Sequence, residues 1–226
     1  ELPRARTYVV GGEALLGSDI APLQRLGGRV VNEYGPTETT VGVTRSIVAA
    51  TTAVPATALC IGRPMAGVRC YVLDSRQQLL PRGAIGELCI GGAQLARGYL
   101  DDATATATAF VDDPLLAGER LYRTGDRARW DRGGDLSFHG RIDEQLKVLG
   151  VRIDPAEVEA ALRRVDGVVD AAVAPVTGAH GTQLGAWVVV DGSFAADAAR
   201  ALLLRELPPG LMPSFVEPIA AIPLTA

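Results

Sequence analysis

Apolar residues in the first part of the chain come in short runs closed by glycine. Tyr8-Val9-Val10 stops at Gly11-Gly12, and Arg29-Val30-Val31-Asn32 runs into Tyr34-Gly35-Pro36. Runs of this length with glycine or proline at their ends read as buried strands. Between them Ser18 or Asp19 can cap a helix that ends at Leu26, before Gly27-Gly28. Strand, helix, strand predicts the edge of a parallel α/β sheet, whose ligands bind beyond the carboxyl ends of its strands. Gly11-Gly12 and the segment NEYGPTETT (residues 32–40) both fall at such ends.

From residue 60 to residue 143 glycine and proline punctuate short β-rich runs, among them Val68–Leu73, Gly86–Ile90, Leu121–Thr124 and Leu136–His139. These predict a small antiparallel, barrel-like subdomain. Within it, DDATATATAF (residues 101–110) alternates Ala with Thr. The period of two suggests a strand, but Ala is the best helix former and Asp101 or Asp102 a good N-cap, so a helix is expected. Its low complexity leaves disorder as the alternative. After Asp143 the pattern changes. A hairpin is expected over Leu146–Ile153 and a helix over Pro155–Leu162 after Asp154. Strands follow at Val168–Val176 and Leu184–Val190, then a helix at Ala195–Leu207 and a strand at Phe215–Ile222. This order describes a second, small α+β domain over 144–226, following a larger unit over 1–143 that holds the sheet strands of 8–34 and the β-rich part of 60–143. Glu1 falls directly before a strand pattern and Ile222–Ala226 stop without a tail, so both ends read as cut from a longer chain.

Composition narrows the function classes. With 226 residues there is ample material for a core, and a net charge of −4 without any basic block favours no nucleic-acid partner. Runs such as Trp187–Val190 are far too short to span a bilayer, and no signal peptide is evident. Cys60, Cys70 and Cys89 are odd in number and widely spaced, and they make no ligand pattern with His139 or His180. They read as buried or half-buried thiols of a reduced, cytoplasmic protein.

Three turns share glycine and one polar residue: Gly35-Pro36-Thr37-Glu38, Tyr122-Arg123-Thr124-Gly125-Asp126 and Gly140-Arg141-Ile142-Asp143. Glycine lets backbone approach a ligand closely, and Thr hydroxyls and backbone N–H groups suit phosphate oxygens. A carboxylate among them would repel phosphate unless Mg²⁺ bridges the two. An Asp at a strand end can accept both ribose hydroxyls, and an Arg can hold sugar or phosphate through its planar fork. Singly, a Gly-Asp or Gly-Arg turn is most often structural. Together they point to a Mg-nucleotide.

The series VVGGEAL (9–15), NEYGPTETT (32–40), GELCIGGAQLARGYL (86–100), YRTGDRARW (122–130) and GRIDEQLKVLGVRIDPAEVE (140–159) resembles the adenylation domains of nonribosomal peptide synthetases, members of the adenylate-forming ligase (ANL) superfamily. The resemblance implies the end of a large ANL-type core followed by a small mobile domain. By position, Asn32 would read the adenine amino edge and Tyr34 would pack on the ring. Gly35 and Thr37 would lie at the phosphates, Glu38 would hold Mg²⁺, and Asp126 would bind the ribose. Phe138 stands where the family often has a Tyr, Arg141 would bind ribose and phosphate, and Asp143 would be the hinge. Thr37, Glu38 and Arg141 are the catalytic candidates, and Gly150 would line the thiolation site. Lys147, in the same hairpin, reads as a solvated lysine. The implied reaction is amino-acid activation by ATP and transfer to the phosphopantetheine thiol of a peptidyl carrier protein domain. A small MbtH-like accessory protein is a further implied partner.

Val9, Gly11, Glu33, Val41 and Gly42 match the amino-acid pocket. One carboxylate among small or apolar groups asks for a donor on the substrate, and the combination resembles asparagine-type pockets, with basic amino acids second. Glu33 paired with a protein Arg or water is the alternative. The family's phosphate loop would lie upstream of Glu1, and its catalytic lysine would follow Pro223-Leu224-Thr225. The 226 residues alone are therefore expected to be nearly inactive. An acyl- or aryl-CoA ligase of the same superfamily and an inactive docking module are the competing readings.

Overall fold

The structure, a computed structural model, describes residues 6–49, 60–143, 145–148, 151–178, 181–192 and 194–223. The chain divides into two compact units, Glu1–Asp143 and Glu144–Ala226.

The first unit opens with β1 (Thr7–Gly11), α1 (Gly17–Arg25) and β2 (Arg29–Tyr34), and β1 and β2 pair in parallel with Gly11 opposite Glu33. Asp19 does not cap α1 as its first residue. It stands in the first turn and accepts the Leu16 N–H at 2.8 Å, so the cap is Leu16, ahead of both Ser18 and Asp19. The sheet continues antiparallel through β3 (Thr44–Val48) and β4 (Arg63–Pro64). Ile20 of α1 packs against Val30 and Val48, on the strand face opposite Val9 and Glu33.

The second sheet is built from β5 (Val68–Leu73), β6 (Gly86–Gly92), β7 (Phe110–Asp112), β8 (Arg120–Trp130) and β9 (Leu136–Arg141). Its strands are antiparallel, and β8 is its spine. One edge of β8 pairs with β6. The other edge is shared, with β7 against Arg120–Tyr122 and β9 against Asp126–Trp130. Leu88, Ile90, Ala128 and Leu136 form the core, with Tyr34 and Phe138 partly buried against it. The Ala/Thr segment is a helix, α2 (Ala103–Ala109), capped by Asp102, which accepts the Ala105 N–H at 2.8 Å. Helix propensity and the cap outweigh the alternating pattern because alternate Ala buries nothing that would reward a strand.

The second unit begins with a hairpin, β10 (Leu146–Val148) against β11 (Val151–Ile153), and α3 (Pro155–Leu162), capped by Asp154. A three-stranded sheet follows. β12 (Val168–Gly178) and β13 (Gly181–Val190) are antiparallel, and β14 (Phe215–Ile219) returns parallel to β13 after α4 (Ala196–Glu206). Val158, Leu162, Ala186, Val188 and Leu203 fill the space between sheet and helices. Among the described residues no helix is long and apolar enough to cross a membrane.

Candidate functional site

β2 delivers Asn32, Glu33 and Tyr34 in succession, and strand alternation sends Asn32 and Tyr34 to one face and Glu33 to the other. Asn32 is buried, and its Nδ2 donates to the Cys60 carbonyl at 3.1 Å. The chain then reverses through Gly35-Pro36 and a 3-10 turn, Thr37–Thr39, and is closed by Val43 N–H donating to the Tyr34 carbonyl at 2.9 Å. Only glycine fits at the start: a Cβ on Gly35 would stand 1.9 Å from the Val41 carbonyl oxygen. Thr40 (φ 59°) and Val41 (φ 65°) sit in the left-handed region, costly for β-branched residues and tolerated where the surroundings hold the loop in place. Thr37 is exposed, whereas Glu38 is buried on the same turn.

The second contribution comes from β8. Sequence reading expected a turn at Gly125-Asp126, but β8 runs straight through as a bulged strand. Thr124, Gly125 and Asp126 span the space that Leu88 alone spans on β6. The bulge is held on both sides. Thr124 Oγ1 donates to the Leu88 carbonyl at 2.7 Å and accepts the Asp126 N–H, while Glu87 accepts the Gly125 N–H at 3.2 Å and pairs with Arg123 at 2.7 Å. An extra residue in one strand re-aims the side chain that follows it. Gly140-Arg141, also expected as a turn, ends β9, with Arg141 directly opposite Asp126.

These elements bring four predicted residues into one network. Arg141 Nη1 donates to Asp126 Oδ1 at 2.7 Å, and its Nε and Nη2 grip Asp143 at 2.5 and 2.7 Å. The Tyr34 hydroxyl donates to Asp126 Oδ2. Burial, and then the Asp126 carboxylate beside it, hold the Tyr34 phenol well above the ordinary tyrosine range. The residue expected to receive a ribose is thus only 5% exposed, and each of its oxygens holds a protein donor. Phe138 is half-buried against the same core as Tyr34.

Glu38 belongs to a neighbouring wall. Its Oε1 accepts the Tyr99 hydroxyl at 2.7 Å, and its carbonyl accepts the Ala96 N–H at 2.8 Å. Tyr99 was not singled out in sequence. Glu87, one residue into GELCIGG, was missed as well, and Thr124, expected among phosphate-binding hydroxyls, is buried and spends its hydroxyl on the bulge. The place of Glu87 in that motif was the available signal.

On the opposite face of β1 and β2, Gly11 abuts Glu33 so closely that a Cβ would meet the Glu33 carbonyl at 2.3 Å. A Cβ on Gly42 would lie 3.0 Å from Glu33 Oε2 and 3.4 Å from Met65 Cε, so the carboxylate points toward Gly42. Among the described residues Glu33 makes no ion pair, even with Arg45, its partner across the strands. Val9 and Val41 flank this surface and are 60% and 72% exposed. Gly150 lies outside the described residues.

A sequence profile described as AMP-binding enzyme matches residues 1–100. Tyrocidine synthase 3 of Brevibacillus parabrevis is 40% identical over 222 residues, which is 94% of this chain but 3% of that protein. Among solved structures, PA1221, described as a nonribosomal peptide synthetase protein with adenylation and PCP domains, superposes with a TM-score of 0.81 at 34% identity, covering 97% of this chain and 44% of that one. The Vibrio cholerae adenylation domain AlmE, solved with glycyl-adenosine-5'-phosphate, gives a TM-score of 0.84 at 28% identity, covering 96% and 42%. The chain therefore spans a small fraction of that synthetase and under half of each of these two solved chains.

Proposed function

We propose, from the AMP-binding enzyme match over residues 1–100 and the likeness to peptide-synthetase adenylation sequences, that this chain forms the nucleotide-binding part of an enzyme that activates an amino acid as its adenylate. The observation that carries this reading is the convergence of Tyr34, Asp126 and Arg141, drawn from three separated stretches, on one point at the end of β2.

In the reaction, the amino-acid carboxylate attacks the α-phosphorus of ATP and pyrophosphate leaves. The protein's work is positioning and charge neutralisation. Tyr34 and Asn32, on one face of β2, receive the adenine. The ribose hydroxyls join the donors on the Asp126 oxygens, because a carboxylate has more lone pairs than the two now in use. Arg141, a fork that cannot be deprotonated, exchanges a carboxylate for the sugar and phosphate. Thr37, exposed beside Glu38, offers its hydroxyl to the phosphates. Glu38 suits Mg²⁺: the Tyr99 hydroxyl that holds it brings no opposing positive charge. One protein carboxylate plus phosphate and water oxygens is the usual Mg²⁺ arrangement. The cation would offset phosphate charge. Asp143, at the boundary of the two units, is the proposed hinge, and the acceptor is the phosphopantetheine thiol of a carrier domain, the partner class present in PA1221. A small MbtH-like protein is a further proposed partner. For the amino acid, Glu33 beside Gly42 favours an Asn-like side chain, with a basic one second.

The test is amino-acid-dependent pyrophosphate exchange by a complete adenylation domain carrying this chain, against a panel of amino, aryl and fatty acids. Exchange with Asn or a relative, lost in Asp126→Ala and Glu38→Gln, is expected. Exchange only with aryl or fatty acids, or insensitivity to both substitutions, overturns the reading. The 226 residues by themselves are expected to show exchange near background.

A further inference from the structure

We propose that Tyr99 is the positioning residue for Glu38, and that α2 serves to hold Tyr99 in place. The proposal rests on the reading of Glu38 as the carboxylate that meets the nucleotide-bound cation.

Glu38 sits on a three-residue 3-10 turn followed by two left-handed residues. A flexible carboxylate on so short an element is not aimed by its own backbone. The segment from Gln94 to Tyr99 supplies what is missing, and it is stitched to the Glu38 loop in three places. Ala96 N–H donates to the Glu38 carbonyl at 2.8 Å, Thr40 Oγ1 donates to the Gln94 carbonyl at 2.8 Å, and the Tyr99 hydroxyl donates to Glu38 Oε1 at 2.7 Å. A phenol orients a carboxylate without cancelling its charge. An Arg in that place would cancel it, as Arg141 does for Asp126.

Tyr99 is in turn fixed from behind. Its ring meets Phe110 edge-on at 5.8 Å, and Phe110 packs on Tyr122 of β8 at 5.1 Å. Arg120 lies over Phe110 and donates to the Ala96 and Arg97 carbonyls. The Tyr99 backbone is gripped by Thr106 of α2, whose hydroxyl accepts the Tyr99 N–H at 2.8 Å. Gly98 lets the two segments approach: a Cβ there would lie 2.5 Å from Thr106 Cγ2. No residue of α2 is buried, so the helix adds little to the core, and its small side chains suit close approach to this strap.

The experiment compares Tyr99→Phe, Thr106→Val, Thr106→Ser, Glu38→Gln and the Tyr99→Phe/Glu38→Gln double variant in a complete adenylation domain carrying this chain. Mn²⁺ binding in the presence of a non-hydrolysable ATP analogue is read by electron paramagnetic resonance. The Mg²⁺ concentration for half-maximal pyrophosphate exchange is read in parallel. Tyr99→Phe is expected to weaken Mn²⁺ binding roughly 10-fold, in the range seen when a ligand's hydrogen-bond partner is removed, with the amino-acid KM unchanged. The double variant should be no worse than Glu38→Gln alone, and Thr106→Ser should retain what Thr106→Val loses. If Glu38→Gln weakens Mn²⁺ binding and Tyr99→Phe does not, Tyr99 has no positioning role and the reading of Glu38 stands. If Glu38→Gln itself leaves Mn²⁺ binding unchanged, that reading fails and takes the proposal with it. Should Tyr99→Phe fail to fold, the Thr106 pair decides: equal binding by Val and Ser overturns the proposal.

Discussion

Asp126 and Arg141 face each other across the β8–β9 ladder and are joined by a 2.7 Å ion pair, with side chains 7% and 15% exposed. Desolvation makes such a pair a poor source of net stability, yet removing one partner alone is expensive because the other stays buried. Asp126→Ala also takes the acceptor from the Tyr34 hydroxyl. It is expected to cost about 3 kcal/mol in denaturant unfolding of the chain. A loss below about 1 kcal/mol would mean the network rearranges without strain.

Tyr34 gives the network an alkaline signature. Its folded-state pKa is raised well above 10.0, so the folded chain holds the phenolic proton more tightly than the unfolded chain. The resulting stabilisation is intact below pH 10.0, the unfolded value, and is lost as pH rises from there through the folded value. Spectrophotometric titration of phenolate should show Tyr34 among the tyrosines that ionise only as the first unit unfolds. Tyr34→Phe should remove its share of that step and flatten the stability decline above pH 10.0.

The thiols should separate by burial. Burial pushes Cys70 and Cys89 up to about 12, whereas Cys60 is half-buried with its sulfur 3.3 Å from the Ser46 hydroxyl. At about pH 8 the two buried thiols carry thiolate on the order of one part in 10⁴. A thiol-reactive chromophore should label Cys60 in the folded chain and the other two only on denaturation, as mass spectrometry of the labelled peptides would show.

Gly42→Ala tests the pocket. The added methyl would press on Glu33 Oε2 at 3.0 Å. In a complete domain we expect the amino-acid KM to rise by roughly 10-fold with kcat changed little, the mark of lost ground-state binding. Steady-state pyrophosphate exchange checks this, and an unchanged KM would remove Gly42 from the pocket.

Strand–helix–strand over residues 7–34 was legible because short apolar runs closed by glycine leave few alternatives. The Ala/Thr helix was legible from propensity and its cap. Gly125-Asp126 was recognisable as a chemical group but not as a bulge. Gly-Asp carries a turn's composition, and only pairing on both edges of β8 keeps the strand continuous through it. The bond from Tyr99 to Glu38 joins residues 61 apart in sequence, and Tyr99 falls in an apolar-looking Gly-Tyr-Leu triplet with no local signal of its task. The Asn32 amide meets a backbone carbonyl, that of Cys60, and a carbonyl leaves no trace in residue type.

The shared edge of β8 splits the assembly into separable halves. Phe110 and Tyr122, which back Tyr99, belong to the half where β7 docks, while Asp126 and Arg141 belong to the half where β9 docks. A lesion that peels β9 away would disable the sugar contacts proposed for Asp126 and Arg141 and spare Glu38, the carboxylate proposed for the cation. Damage around β7 would do the reverse, so each lesion leaves one set of contacts standing and abolishes the other.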